Sequence, residues 1–282
     1  MLYDCFSFFN ELDLLEIRLN YLDEIVDKFV LVEMDKTHSF KDKPLYFEEN
    51  KERYKKFLKK IIHIKITEYP ADVNYDHFDS PWLLENYQRD CIMQGLKNAK
   101  KSDIVMISDL DEIPSINAIK QYKNGIGVCC QRMMYYYLNN LNISSPIWTN
   151  GTRIGHLSDL KKPDNEISGI FGAQYTKKGL PTYFRFCYGE MLTDGGWHFS
   201  YLGGTQAIID KIKSFAHQEL NNEQFTSKKY ISNAVKSGKD IFDRNYDYAP
   251  VPIDDTFPKY ILNNQEKYKH LIIPYKKTKN KK

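Results

Sequence analysis

Ile104-Val105-Met106-Ile107-Ser108-Asp109-Leu110-Asp111-Glu112-Ile113-Pro114 passes from four consecutive apolar side chains to three carboxylates within four residues. The apolar run has the pattern of a strand buried on both faces, as in a parallel sheet covered by helices. Ligands of open α/β sheets bind beyond the carboxyl ends of such strands, so the acidic turn falls where chemistry is expected. Asp109 and Asp111 would share one face of a straight strand, and where the strand turns into a loop they can converge on one ion. Carboxylates this close repel one another unless a cation offsets them. Hard divalent cations such as Mn2+ or Mg2+ take a few carboxylate oxygens and complete their shell with water or substrate phosphate. The alternative is a solvated acidic turn that caps a helix beginning near Ser115.

The flanking segments supply the rest of the sheet. Residues 3–9 read as a short strand, and Asn10 is placed to cap a helix that carries Leu12, Leu15, Leu19, Leu22 and Val26 at three-four spacing. Phe29-Val30-Leu31-Val32 is a second continuous apolar run, and it ends in Glu33. Residues 48–59 read as a charged surface helix and residues 61–66 as the next strand. Ser80-Pro81 opens a helix that runs through Trp82, Leu83, Tyr87, Cys91 and Leu96. Strand and helix alternate at least three times before Ser108, which predicts a doubly wound α/β sheet. Residues 128–138 read as a long strand or a hairpin. Residues 140–182, rich in Gly, Pro, Asn and Ser, read as a long loop, and such loops carry function. Helices are expected over residues 205–217 and 224–236.

Bulk properties narrow the class. The 282 residues fit one α/β enzyme domain, and 42% hydrophobic with 27% charged residues exclude a disordered chain. A net charge of +3, with Lys dispersed among Asp and Glu, lacks the basic stripe of a nucleic-acid binder. Lys276 to Lys282 form a basic tail, read as a frayed end or a weak anchor to an anionic membrane. The five cysteines are an odd number, and adjacent Cys129 and Cys130 would face opposite sides of a strand. A reducing compartment is expected. No apolar stretch approaches the ~20 residues of a membrane span, and Met1 leads into a strand without a signal-peptide pattern. The expectation is a cytoplasmic chain. High Lys, Asn, Ile and Tyr content points to an AT-rich genome, bacterial or viral.

Gly195-Gly196-Trp197-His198-Phe199-Ser200 is the second chemical signal. Paired glycines let backbone approach a ligand closely. Trp197 can stack on a sugar or nucleobase. His198 can be a third metal ligand beside Asp109 and Asp111, or donate to a diphosphate.

Several stretches together resemble glycosyltransferase family 17, the family of the bisecting β-1,4-N-acetylglucosaminyltransferase. They are Phe8-Phe9-Asn10-Glu11-Leu12-Asp13-Leu14-Leu15-Glu16, Val30-Leu31-Val32-Glu33 with Thr37-His38-Ser39 and Lys43-Pro44-Leu45, residues 108–114, and Gly196-Trp197-His198-Phe199-Ser200. The resemblance implies a GT-A-type single Rossmann-like domain with a mixed, mostly parallel central sheet. It implies a UDP-sugar donor (UDP-GlcNAc by default), a divalent metal, a glycan acceptor and inversion to a β-linkage. The whole chain, 1–282, is then one domain. About 1–125 is the nucleotide-sugar half, about 126–275 the acceptor half, and 276–282 the tail. The chain is expected to do without the membrane anchor and stem of the animal Golgi enzymes, and Phe40 stands where Gly is expected after Thr37-His38-Ser39. The acceptor therefore need not be an N-glycan.

Under that reading Glu33 accepts hydrogen bonds from uracil or ribose, or is a surface strand-end carboxylate. Thr37 and His38 close over the base. Arg89 offers bidentate contacts to a diphosphate, or forms a salt bridge to Glu85 or Asp90. Inversion needs a general base within reach of the acceptor hydroxyl. Glu190, Asp194 and Glu219 are the available carboxylates. Glu219, oriented by His217, is chosen over Asp194. Two other readings are a haloacid-dehalogenase-like phosphatase, with Asp254-Asp255 as its distal acidic pair, and a non-catalytic carbohydrate-binding protein. Ile113 stands where the phosphatase pattern has Thr or Val, and an acidic cluster without a metal role is hard to explain in a binding protein.

Overall fold

A computed structural model describes residues 1–71, 74–77, 80–161 and 179–275. The basic tail and the middle of the 140–182 stretch lie outside the described residues. Four parallel strands form the front of the sheet: β1 (Leu2–Phe8), β2 (Lys28–Met34), β3 (Ile61–Ile66) and β4 (Ile104–Asp109). They are joined by α1 (Leu12–Leu22), by α2 (Tyr46–Glu49) with a 3-10 stretch (Lys51–Phe57), and by α3 (Ser80–Asp90) with α4 (Ile92–Gly95). Their spatial order is β4-β1-β2-β3. The chain leaves β1 toward β2 and later returns to β1's other side, so the carboxyl ends of β1 and β4 flank a topological switch point, where α/β sheets bind ligands. Ser7 pairs with Asp109 in that register.

Alternate residues of these strands enter two apolar clusters. Phe6, Phe8, Phe29, Leu31 and Met106 pack with Leu15, Leu19 and Leu22 of α1. Cys5, Val30, Val32, Val105 and Ile107 pack with Leu84, Ile92 and Leu96 on the opposite face. Each fully buried apolar side chain contributes about 1.5–3 kcal/mol, and coverage of both faces explains why these strands read as unbroken apolar runs.

The second half extends the same sheet. It contains β5 (Glu112–Pro114), α5 (Ile116–Gln121), β6 (Gly127–Tyr135), β7 (Asn140–Asn142), β8 (Ile147–Trp148), β9 (Arg153–His156), α6 (Leu180–Arg185), β10 (Glu190–Ser200), α7 (Gly204–Ser214), α8 (Lys228–Ser237), β11 (Tyr248–Pro250) and α9 (Lys259–Asn263). The full order is β11-β7-β6-β9-β4-β1-β2-β3, with β10 pairing β5 and β6 and β8 pairing β6. The sheet is mixed. Its longest registers, β1 with β2, β1 with β4, β2 with β3 and β10 with β6, are all parallel. β9 runs antiparallel between β4 and β6.

Some local expectations change. Glu11, not Asn10, precedes α1, and no side chain caps that end. The surface helix expected over 48–59 is a single α-turn and a 3-10 stretch kinked at Tyr54, because Phe47, Tyr54 and Phe57 all turn inward. The long loop contains β7, β8 and β9, strands of two to four residues. Ser115 caps α5 through a bond from the Ala118 amide.

Candidate active site

One guanidinium fixes the acidic turn. Arg18, on α1, is fully buried. It binds Asp4 at 2.6 and 2.8 Å and donates to Ser108 Oγ at 2.6 Å. Its Nη1 donates to the carbonyls of Asp109, Leu110 and Glu112, each at 3.0 Å. The planar fork of arginine suits this divergent set of acceptors. With its carbonyls gathered below, the turn leaves the Asp109 and Asp111 side chains on the wall of a cleft of about 380 Å³.

Each carboxylate of the turn meets a protein cation. Asp109 Oδ1 is 3.3 Å from Arg89 Nη2, and its Oδ2 is 3.6 Å from Arg185 Nη2. Burial pushes Asp109 upward, but the two guanidinium groups outweigh it and hold the carboxyl below its ordinary value. Asp111 binds Lys211 Nζ at 2.8 Å and lies 3.5 Å from His198 Nε2. Burial again acts upward, and Lys211 with His198 holds Asp111 well below the usual range. Glu112 accepts from Arg185 at 2.5 Å, Trp148 Nε1 at 2.9 Å and the Asp109 amide at 2.9 Å. Burial dominates there and raises its carboxyl.

These cations answer the repulsion that the sequence assigned to a metal alone. No three His, Cys, Asp or Glu side chains form a metal cage among the described residues. The donors suit a more open site, in which a hard cation takes one or two carboxylates and completes its shell with phosphate and water. Asp109, with 40% of its side chain exposed, and Asp111 are the residues able to hold it. His198 lines the cleft beside Trp148, with ring centroids 4.9 Å apart. Its buried Nδ1 has no hydrogen-bond partner among the described residues.

Of the residues singled out from sequence, Asp109, Asp111, His198, Thr37 and Arg89 line this one cleft. Arg89 also binds Glu85 at 2.8 Å, so the salt bridge and the cleft position are both realised. Thr37 Oγ1 accepts from the Lys41 amide at 3.0 Å, and His38 binds Gln88 at 2.8 Å across the cleft wall.

Glu33 is a correction. It is neither in the cleft nor on the surface. It is fully buried, accepting from the Phe47 amide at 2.9 Å and bonded to His63 at 3.0 Å. β2 continues to Met34, so Glu33 remains inside the layer and serves the start of α2. Trp197 is also corrected. Strand alternation turns it to the face opposite His198, where it packs edge-on against Tyr21 in the core, with ring centroids 5.5 Å apart. The preceding glycines serve strand packing. A Cβ on Gly196, whose φ is +117°, would meet the Ile113 carbonyl oxygen at 2.1 Å.

Neither expected base lines the cleft. Asp194 sits exposed at the β10 bulge, with φ +49° and its carbonyl bound by Ser115 Oγ at 2.5 Å. Glu219 has 59% of its side chain exposed and binds Nδ1 of His217, a cleft-lining residue, at 2.6 Å. Asp254 and Asp255 are exposed and away from the cleft, so the acidic pair of a phosphatase is not assembled. Sequence reading missed Lys211, Arg185 and Trp148, which reach the acidic turn from 100, 73 and 36 residues away.

The sequence model of glycosyltransferase family 17 matches residues 1–147. The beta-1,4-mannosyl-glycoprotein 4-beta-N-acetylglucosaminyltransferase of Rattus norvegicus is 22% identical over 297 residues, covering 96% of this chain and 54% of the relative. Its counterpart in Homo sapiens is 22% identical over 288 residues, covering 93% and 53%. The chain thus spans about half the length of the curated relatives it matches.

Proposed function

Because the chain belongs to glycosyltransferase family 17, we propose that it moves a sugar, by default GlcNAc, from a UDP-sugar to a glycan hydroxyl with inversion to a β-linkage. The carrying observation is one cleft that Asp109 and Asp111 line together with Lys36, Lys43 and Arg89. Asp109 and Asp111 would hold Mn2+ or Mg2+, which supplies Lewis-acid stabilisation of the departing diphosphate. Arg89, bonded to Glu85 and to Asp109, would add its positive charge to the site of the same diphosphate. The nucleotide lies toward the ends of β1 and β2, in the 1–125 half. The 126–275 half contributes Trp148, Tyr201, Phe215 and Phe242 to the same cleft, an aromatic lining suited to the acceptor.

The acceptor proton goes to the His217–Glu219 pair. His217 faces the cleft and Glu219 orients its ring, a base held by a third group. The test is UDP release from UDP-GlcNAc, UDP-glucose and UDP-galactose with Mn2+, against a panel of glycan acceptors. Transfer from one UDP-sugar is expected, and Glu219→Gln should slow it by about 10²–10⁴-fold. Absence of transfer from every donor sinks the activity. An undiminished Glu219→Gln sinks only the base assignment.

A further inference from the structure

A second cavity, of about 320 Å³, lies beside the cleft. Glu11, Asp111, Tyr201 and Lys211 line both spaces and so form a shared wall. Lys211 is the centre of that wall. Its Nζ lies 2.8 Å from Asp111 Oδ2, 3.9 Å from Glu11 Oε1 and 5.3 Å from the Tyr201 ring centroid. One ammonium therefore stands between two carboxylates, bonded to the first and within a small side-chain rotation of the second. Asp111 is the more enclosed of the two, with 10% of its side chain exposed against 24% for Glu11. An uncompensated charge costs more where it is more buried, which places the amine on Asp111 when no other cation is present.

A divalent cation and an ammonium cannot occupy the same carboxylate oxygens without strong repulsion at these distances. We propose that Lys211 is the resident counter-ion of Asp111, that an incoming Mn2+ or Mg2+ displaces it, and that Glu11 is the carboxylate that receives it. The inference rests on the metal-dependent reading above. Asp111 would then never be left as a bare buried charge. Metal loading would shift Lys211 toward the second cavity and open the wall between the two spaces.

The exchange predicts effects of opposite sign on metal affinity, read on the full chain as Mn2+ binding by electron paramagnetic resonance, first without nucleotide and then with UDP. Lys211→Met removes the competitor and should tighten Mn2+ binding by about tenfold or more, as expected when a like charge leaves the site. Lys211→Gln, which keeps a donor to Asp111, should shift affinity in the same direction if the Met variant folds poorly. Glu11→Gln removes the receiving carboxylate and should weaken Mn2+ binding several-fold. In the Lys211→Met background the Glu11→Gln effect should largely vanish, because the coupling passes through Lys211. Equal affinity of wild type and the Lys211 variants overturns the counter-ion role while leaving metal binding in place. A Glu11→Gln loss that persists undiminished without Lys211 is simple through-space attraction and overturns the hand-over. No Mn2+ binding by any variant, with or without UDP, overturns both this inference and the metal-dependent reading.

Discussion

Arg18 is the residue on which the acidic turn depends. It satisfies a buried carboxylate, a hydroxyl and three carbonyls. Arg18→Met leaves Asp4 as an unpaired buried charge, and breaking such a pair costs about 3–5 kcal/mol. Urea denaturation should show that loss. A variant as stable as wild type would mean that the network does not support the fold. Residue by residue, sequence is informative where the local run decides the environment. Asp109 and Asp111 were legible because a buried strand delivers them to the sheet's ligand-binding edge. Glu33 looked equivalent at the end of its own strand, but two further facts decide its place: β2 extends to Met34, and the Phe47 amide needs an acceptor. Lys211 and Arg185 carried no local signal. Each is one basic residue of a helix, and only tertiary folding aims it at the turn.

At the scale of elements, the long parallel strands were readable because each is a run of six or seven residues buried on both faces. β7, β8 and β9 were not, since two to four residues show no period. α9 and the segment after it were also unread; Ile261, Tyr268 and Leu271 pack with Leu14 and Ile17 of α1, and polar links to Glu16 and Asp13 ring that contact. Glu16 accepts from Tyr260 at 3.0 Å, binds Arg53 at 2.6 Å and also meets Lys267. Asp13 meets Arg53, and His270 at 2.9 Å. Partial burial raises both carboxyls, but Lys267, Arg53 and Tyr260 outweigh it for Glu16, and Arg53 with His270 does so for Asp13. A carboxyl held below its unfolded value adds stability that is complete above that value and disappears as pH falls through the folded one. Acidification to roughly pH 4 and below should therefore loosen α9 before the parallel strands. Hydrogen exchange resolved by segment would show it. Loss of protection in β1 and β4 first would contradict this attachment.

For the whole molecule, a single sheet carries the cleft. β1 and β4 bring Ser7 and Asp109 to the cleft and the segment after β2 brings Thr37, while β6 and β10 add Tyr135 and His198, the latter 3.5 Å from Asp111. The alternation in the first 110 residues foretold the four parallel strands that end at the cleft. The contribution of β6 and β10 could not be foreseen, because it depends on β9 inserting antiparallel between β4 and β6. All the chemistry proposed converges on whether this cleft takes a UDP-sugar through a metal at Asp111. Calorimetric titration of UDP-GlcNAc into the full chain tests that most directly, with Mn2+, after EDTA, and with Asp111→Asn. Binding that requires Mn2+ and is lost in Asp111→Asn is the predicted result. Equal binding in EDTA, or none of UDP-GlcNAc or UDP under any condition, would contradict it.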